Sequence, residues 1–206
     1  MSVKKILTII LLGAAMGCSS SNLIESETLT GSDNTEEVVT AFENSTETNN
    51  TNDQLSNEGI VPAQLVIQEI GVDAKVEHVG QLPNGQMDVP TEDKNVGWYE
   101  LGAEPGEAGN AVIAGHVDNK TGPAVFFHLG DLKPGDVLTV TSDKGKSYEF
   151  TVESIASYPR NNAPLEKIFG MSNKPRLNLI TCSGGFNRNA GTHEERMVVY
   201  TVLTSN

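Results

Sequence analysis

Cysteine is scarce in this chain. Two occur in 206 residues, Cys18 and Cys182, and Cys18 falls in an N-terminal stretch with the character of an export signal. Cys182 therefore has no evident disulfide partner, although the rest of the chain reads as extracellular. A lone thiol in an oxidising setting has to be buried or used. Basic charge is scarce as well, with 14 Lys and Arg against 27 Asp and Glu and a formal net charge of −13. The deficit is uneven. Residues 18–58 carry nine acids and no Lys or Arg, which leaves 18 acids and 12 bases beyond them, close to −6. No basic patch points to nucleic acid as a partner. Long apolar runs are missing too. The stretch 6–12 is too short to cross a bilayer as a helix. No repeat is visible, and the acidic residues do not fall at calcium-loop spacing. No cofactor and no metal site is expected.

The first 17 residues have three parts: Lys4 and Lys5, then the apolar run, then small residues up to Gly17. That order is the order of a signal peptide. Ala14-Ala15-Met16-Gly17-Cys18 resembles a bacterial lipobox, departing from it in having Ala15 where Leu is preferred. The resemblance implies a lipoprotein-type signal over 1–17, with Cys18 lipidated and tethering the chain to the outer face of the cytoplasmic membrane. The alternative is an ordinary signal with an incidental cysteine. Residues 18–58 are rich in Ser, Thr, Asn and Glu and poor in large apolar residues. They bury too little to offset ordering entropy and read as a disordered tether.

From residue 59 the pattern is that of short strands. Apolar-rich segments begin after Pro62 and recur at 72–79, 110–114, 137–141, 147–152, 177–181 and 197–203. The Asp143-Lys144-Gly145 turn between two of them signals a β-hairpin. Helical signals are few and short, near 125–129 and 165–169. Many short strands with regular turns read as all-β, a sandwich or closed barrel, and about 148 residues can bury a core without disulfides.

Cys182 ends an apolar strand and opens the run Ser183-Gly184-Gly185. Composition alone favours a buried structural cysteine. The strand-end position favours a nucleophile at the rim, which needs a neighbouring cation or base. Four histidines are candidates. His78 lies on a surface strand, His128 ends a short helical segment and His193 sits in a polar loop. His116 follows the apolar strand 111–114, the same placement as Cys182. His193 and a purely structural role stay open beside it. Arg196 opens the last apolar strand 14 residues after Cys182, where its guanidinium can donate to a developing oxyanion. A solvated strand-edge arginine is the alternative, and Arg188 is a weaker candidate.

Leu179-Ile180-Thr181-Cys182, the following Arg196 and the upstream Ala114-Gly115-His116-Val117-Asp118 together resemble the sortases, cysteine transpeptidases of Gram-positive bacteria. Gly122-Pro123-Ala124-Val125-Phe126-Phe127 and Leu132-Lys133-Pro134-Gly135-Asp136 are similar to class F sortases in particular. The resemblance spans 59–206. It implies a closed eight-stranded β-barrel with one or two short helices and a catalytic triad of His116, Cys182 and Arg196. It implies Thr181 lining the substrate site; Asp118, expected beside it at that site, follows His116 by two residues and either orients it or caps the next turn. The implied reaction is cleavage of a Thr-Gly bond in an LPxTG-like sorting signal. The thioacyl intermediate passes to an amine such as a peptidoglycan precursor, or to water. The lipobox-like start departs from the transmembrane anchor of many sortases. Two other readings remain. An L,D-transpeptidase also uses Cys and His, but its Ser-His-Gly-Cys signature is absent. A lipoprotein can also keep the barrel as a non-catalytic binding module.

Overall fold

The computed structural model describes residues 58–204. The segments expected to be a signal peptide and a tether, with Cys18 between them, lie outside the described residues up to residue 57. Eight strands run in chain order: β1 Pro62–Ile67, β2 Val72–Val79, β3 Val96–Tyr99, β4 Gly109–Ala114, β5 Val137–Ser142, β6 Ser147–Pro159, β7 Pro175–Asn187 and β8 Thr192–Leu203. They close a barrel in the order β1-β2-β3-β4-β7-β8-β6-β5. Most neighbours are antiparallel, while β2 with β3 and β4 with β7 are parallel. Closure leaves no free sheet edge.

The alternation of side chains along each strand builds two apolar layers. In β2, Val72, Ala74 and Val76 point inward and the residues between them face out. The barrel interior gathers Leu65, Ile67, Ile113, Phe126, Leu138, Phe150, Leu177, Leu179 and Val199. A smaller cluster covers part of the outer face: Val112, Ile168, Val198 and Tyr200, with Ile180, Ala156 and Tyr158 packed on it. β4 is therefore buried at all six positions, because it has apolar neighbours on both faces. The helix α1, Leu165–Phe169, is pinned over this outer cluster. Buried Asn178 donates through Nδ2 to Ile168 O at 2.8 Å, and Asn110 Nδ2 donates to Gly170 O at 2.7 Å.

The expected closed eight-stranded barrel with almost no helix is what forms. The 165–169 helix is present, and the Asp/Gly hairpin forms, with Ser142 N donating to Lys146 O and Gly145 at φ 81°. The helical signal near 125–129 resolves into turns followed by a 3-10 turn at Leu129–Asp131. β3 was not expected; its four residues are too few to show a period. A further difference concerns Cys182. β7 does not end there, but continues to Asn187, pairing with a β8 that starts at Thr192 rather than at Arg196. Ser183-Gly184-Gly185 lacks strand propensity, and Gly184 and Gly185 form an irregularity between the paired residues Ser183 and Phe186, with Gly184 at φ 72°.

Candidate active site

Register brings two candidate residues, Cys182 and Arg196, level, and the end of β4 carries a third, His116, nearby. The parallel ladder of β4 and β7 sets Ala114 opposite Ile180, and Gly115 N still donates to Ile180 O at 3.0 Å. His116 follows two residues past this last pair, beyond the end of β4, and Cys182 lies two residues past Ile180 on β7. The antiparallel ladder sets Cys182 opposite Arg196, and Arg196 opposite Tyr158 of β6. Directly opposed residues share a sheet face. Cys182, Arg196 and Tyr158 thus form a row, beside the apolar row Ile180, Val198 and Ala156. Cys182 is a free, partly exposed thiol.

Thr181 has a definite job next to Cys182. Its side chain is buried, and Oγ1 donates to Gly115 O at 2.8 Å. This bond ties the residue before the cysteine to the residue before the histidine. Gly115 is required there for a second reason. A Cβ on it would stand 2.5 Å from Phe126 Cδ2, and that ring is fully buried. Phe126 N in turn donates to His116 O at 2.9 Å, so the backbone around His116 is held from both sides.

The His116 ring is oriented by a residue that sequence reasoning missed. Nε2 lies 3.0 Å from Pro90 O. A carbonyl only accepts, so Nε2 carries the proton, and Nδ1 is left to gain or lose one. Pro90 belongs to the loop between β2 and β3, and that loop is anchored by Glu77. The Glu77 carboxylate accepts from Thr91 N at 2.8 Å, Glu92 N at 3.3 Å and Asn95 Nδ2 at 2.8 Å. These donors, Thr91 N foremost, hold the Glu77 carboxyl below the usual range against the opposing effect of burial. A carboxylate followed by a polar loop is too common a pattern to have flagged Glu77.

Arg196 lies along its own hairpin. Nη1 donates to Glu195 O at 2.8 Å and His193 O at 3.2 Å, and Nη2 donates to Thr192 Oγ1 at 3.3 Å. Three of its five N–H groups are used in this way, which leaves Nε–H and one N–H of Nη2. Among the described residues no hydrogen bond joins the Cys182 thiol to His116 or Arg196. Asp118 does not orient His116; its Oδ1 lies 3.2 Å from His193 Nε2. His78 stands at the surface 3.6 Å from Glu100, and His128 pairs with Asp131 at 2.9 Å, so neither joins the row. Two open clefts of about 390 and 430 Å³ flank Asn110 near α1, and neither is lined by His116, Cys182 or Arg196.

The site thus sits on a closed β-barrel with a free cysteine on β7, an arginine opposite it on β8 and a histidine just past the end of β4. The sequence matches the Sortase domain family over residues 65–204, and the chain belongs to that family. The L,D-transpeptidase reading falls with that match. The solved structures it is similar to are also sortases. Sortase C-1 from Actinomyces oris is 23% identical, with a TM-score of 0.56, covering 71% of this chain and 77% of that one. A lid mutant of sortase A from Corynebacterium diphtheriae is 21% identical, with a TM-score of 0.56 and 75% of each chain covered. A sortase D5 transpeptidase from Clostridium perfringens is 22% identical, with a TM-score of 0.52, covering 74% and 84%. At these identities the likeness is one of fold. No curated protein matches the chain.

Proposed function

We propose that this protein is a class F-like cysteine transpeptidase of the cell surface, with Cys182 as nucleophile, His116 as acid and base, and Arg196 as oxyanion donor. The observation that supports this reading is the register that sets Cys182 opposite Arg196, together with the Thr181–Gly115 bond that ties the residue before Cys182 to the residue before His116. The substrate is an LPxTG-like sorting signal.

The Cys182 thiolate attacks the threonine carbonyl carbon, forming a C–S bond. The developing oxyanion takes hydrogen bonds from the two N–H groups of Arg196 not engaged by its own hairpin. As the C–N bond breaks, His116 Nδ1 gives its proton to the leaving glycine amine. A thioester on Cys182 remains. An incoming amine attacks it, neutral Nδ1 takes the amine proton, and the thiolate leaves. Pro90 O holds Nε2–H throughout, so the same nitrogen acts in both halves. Such a pair of coupled groups gives a bell-shaped dependence of rate on pH.

The class F placement is supported by the 122–127 and 132–136 motifs. The lipobox-like residues 14–18 support lipidation at Cys18 and attachment to the outer face of the cytoplasmic membrane, with residues 18–58 as the spacer. The acceptor is an amine of the cell wall, such as a peptidoglycan precursor. Incubating the protein with a sorting-signal peptide library and candidate amines, and weighing the products, tests the reading. Peptides joined through threonine to the added amine are expected. A protein that binds signal peptides and leaves every one intact is instead a binding module.

A further inference from the structure

The His193 ring sits between two acceptors. Nδ1 lies 3.0 Å from Gly184 O, and Nε2 lies 3.2 Å from Asp118 Oδ1. A neutral imidazole has one N–H, whereas a carbonyl and an ionised carboxylate can only accept. Satisfying both contacts requires two N–H groups, which is the imidazolium. The ring is shielded, with its side chain 14% exposed and packed edge-on against Phe186, and it is the Asp118 carboxylate at 3.2 Å that favours the charged form.

The positions of its partners give the contact a purpose. Asp118 is two residues after His116, Gly184 is two residues after Cys182, and His193 is three residues before Arg196. The His193 carbonyl is itself an acceptor for Arg196 Nη1. One protonated ring therefore ties together the three segments that carry His116, Cys182 and Arg196, and fixes the backbone that orients the guanidinium. The other charged groups around it are turned elsewhere. Glu195 packs its side chain over Gly184, Glu194 reaches Asn187 Nδ2 at 3.5 Å, and Arg196 meets only the His193 backbone.

We propose that His193 and Asp118 form an ionic clasp, a positioning pair that holds the β7–β8 hairpin and the segment after β4 in the reactive arrangement while His193 is protonated. This rests on the sortase reading of the site. Loss of the ring proton leaves one acceptor facing a lone pair, and the clasp opens with rising pH. The carboxylate charge is what matters, not the volume of the side chain.

Steady-state kinetics on Asp118→Asn, Asp118→Glu, His193→Gln and the Asp118→Asn/His193→Gln double variant tests this. The Asn and Gln variants are expected to lose roughly 10- to 100-fold in kcat with KM almost unchanged, the double variant no more than either, and Asp118→Glu to stay within about threefold of wild type. The alkaline limb of the pH profile is expected to change in His193→Gln. Asp118→Asn equal to Asp118→Glu, or single losses that multiply in the double variant, overturns the clasp. A second readout does not depend on catalysis. Proton spectra at about pH 6 are expected to show two His193 ring N–H protons, in the wild type and in Cys182→Ala alike, with the Nε2 proton lost to solvent exchange in Asp118→Asn. A single ring proton in the wild type refutes the assignment. If the wild type processes no signal peptide, the sortase reading fails, while the ring protons still decide the clasp.

Discussion

Replacing Thr181 by valine isolates one bond on which the placement of His116 depends. The two side chains are nearly the same size, so no cavity opens at this buried position. What is lost is the Oγ1 donor to Gly115 O at 2.8 Å. Leaving a buried acceptor unpaired costs about 1–3 kcal/mol. In a domain of this size, 1 kcal/mol moves Tm by about 2–4 °C, so the valine variant should melt roughly 5 °C lower. Serine keeps the hydroxyl and loses one buried methyl, a cost of about 1 kcal/mol. The two variants should therefore separate stability from activity. Both lose some Tm, but serine keeps most of kcat/KM, while valine loses roughly tenfold or more as the His116 segment drifts from Cys182. Thermal melts and peptide-cleavage kinetics on the same preparations provide the comparison. A valine variant as active as wild type, or a serine variant less active than valine, refutes the positioning argument.

Glu77→Gln should lower Tm at neutral pH. The Glu77 carboxyl is held below its usual range in the folded state, so its stabilisation is full above the unfolded carboxylate range and fades as pH falls through the folded value. The gap between variant and wild type should close in acid, as melts across pH can show. Gly115→Ala forces a Cβ to 2.5 Å from the buried Phe126 ring, and should cost about 1–3 kcal/mol in denaturant unfolding along with most of the activity. Arg196→Lys keeps the charge and loses the planar fork, and kcat should fall by about 10²- to 10³-fold with the fold intact.

Much of the barrel was legible because its strands announce themselves. The apolar runs at 110–114, 177–181 and 197–203 are β4, β7 and β8, and the Asp/Gly turn before Lys146 is a true hairpin. The order of His116, Cys182 and Arg196 on those runs was legible for the same reason. What sequence could not show is pairing. Ser183-Gly184-Gly185 has no strand signal of its own and is carried as an irregularity within a ladder that β8 continues on both sides. β3 is four residues long and takes its form from β2 and β4. Pro90 and Glu77 are bound to the site through a loop carbonyl and three donors to one carboxylate, and nothing local marks either. Asp118 has as its partner a histidine 75 residues on, and not the one beside it in sequence.

The central claim is that Cys182 forms the acyl bond. Mixing the protein with a sorting-signal peptide in the absence of amine, quenching in acid and weighing the intact chain tests it directly. The account predicts an adduct of the peptide fragment ending in threonine, attached at Cys182, released by hydroxylamine and absent from Cys182→Ala. Peptide cleavage at the wild-type rate by Cys182→Ala would contradict it.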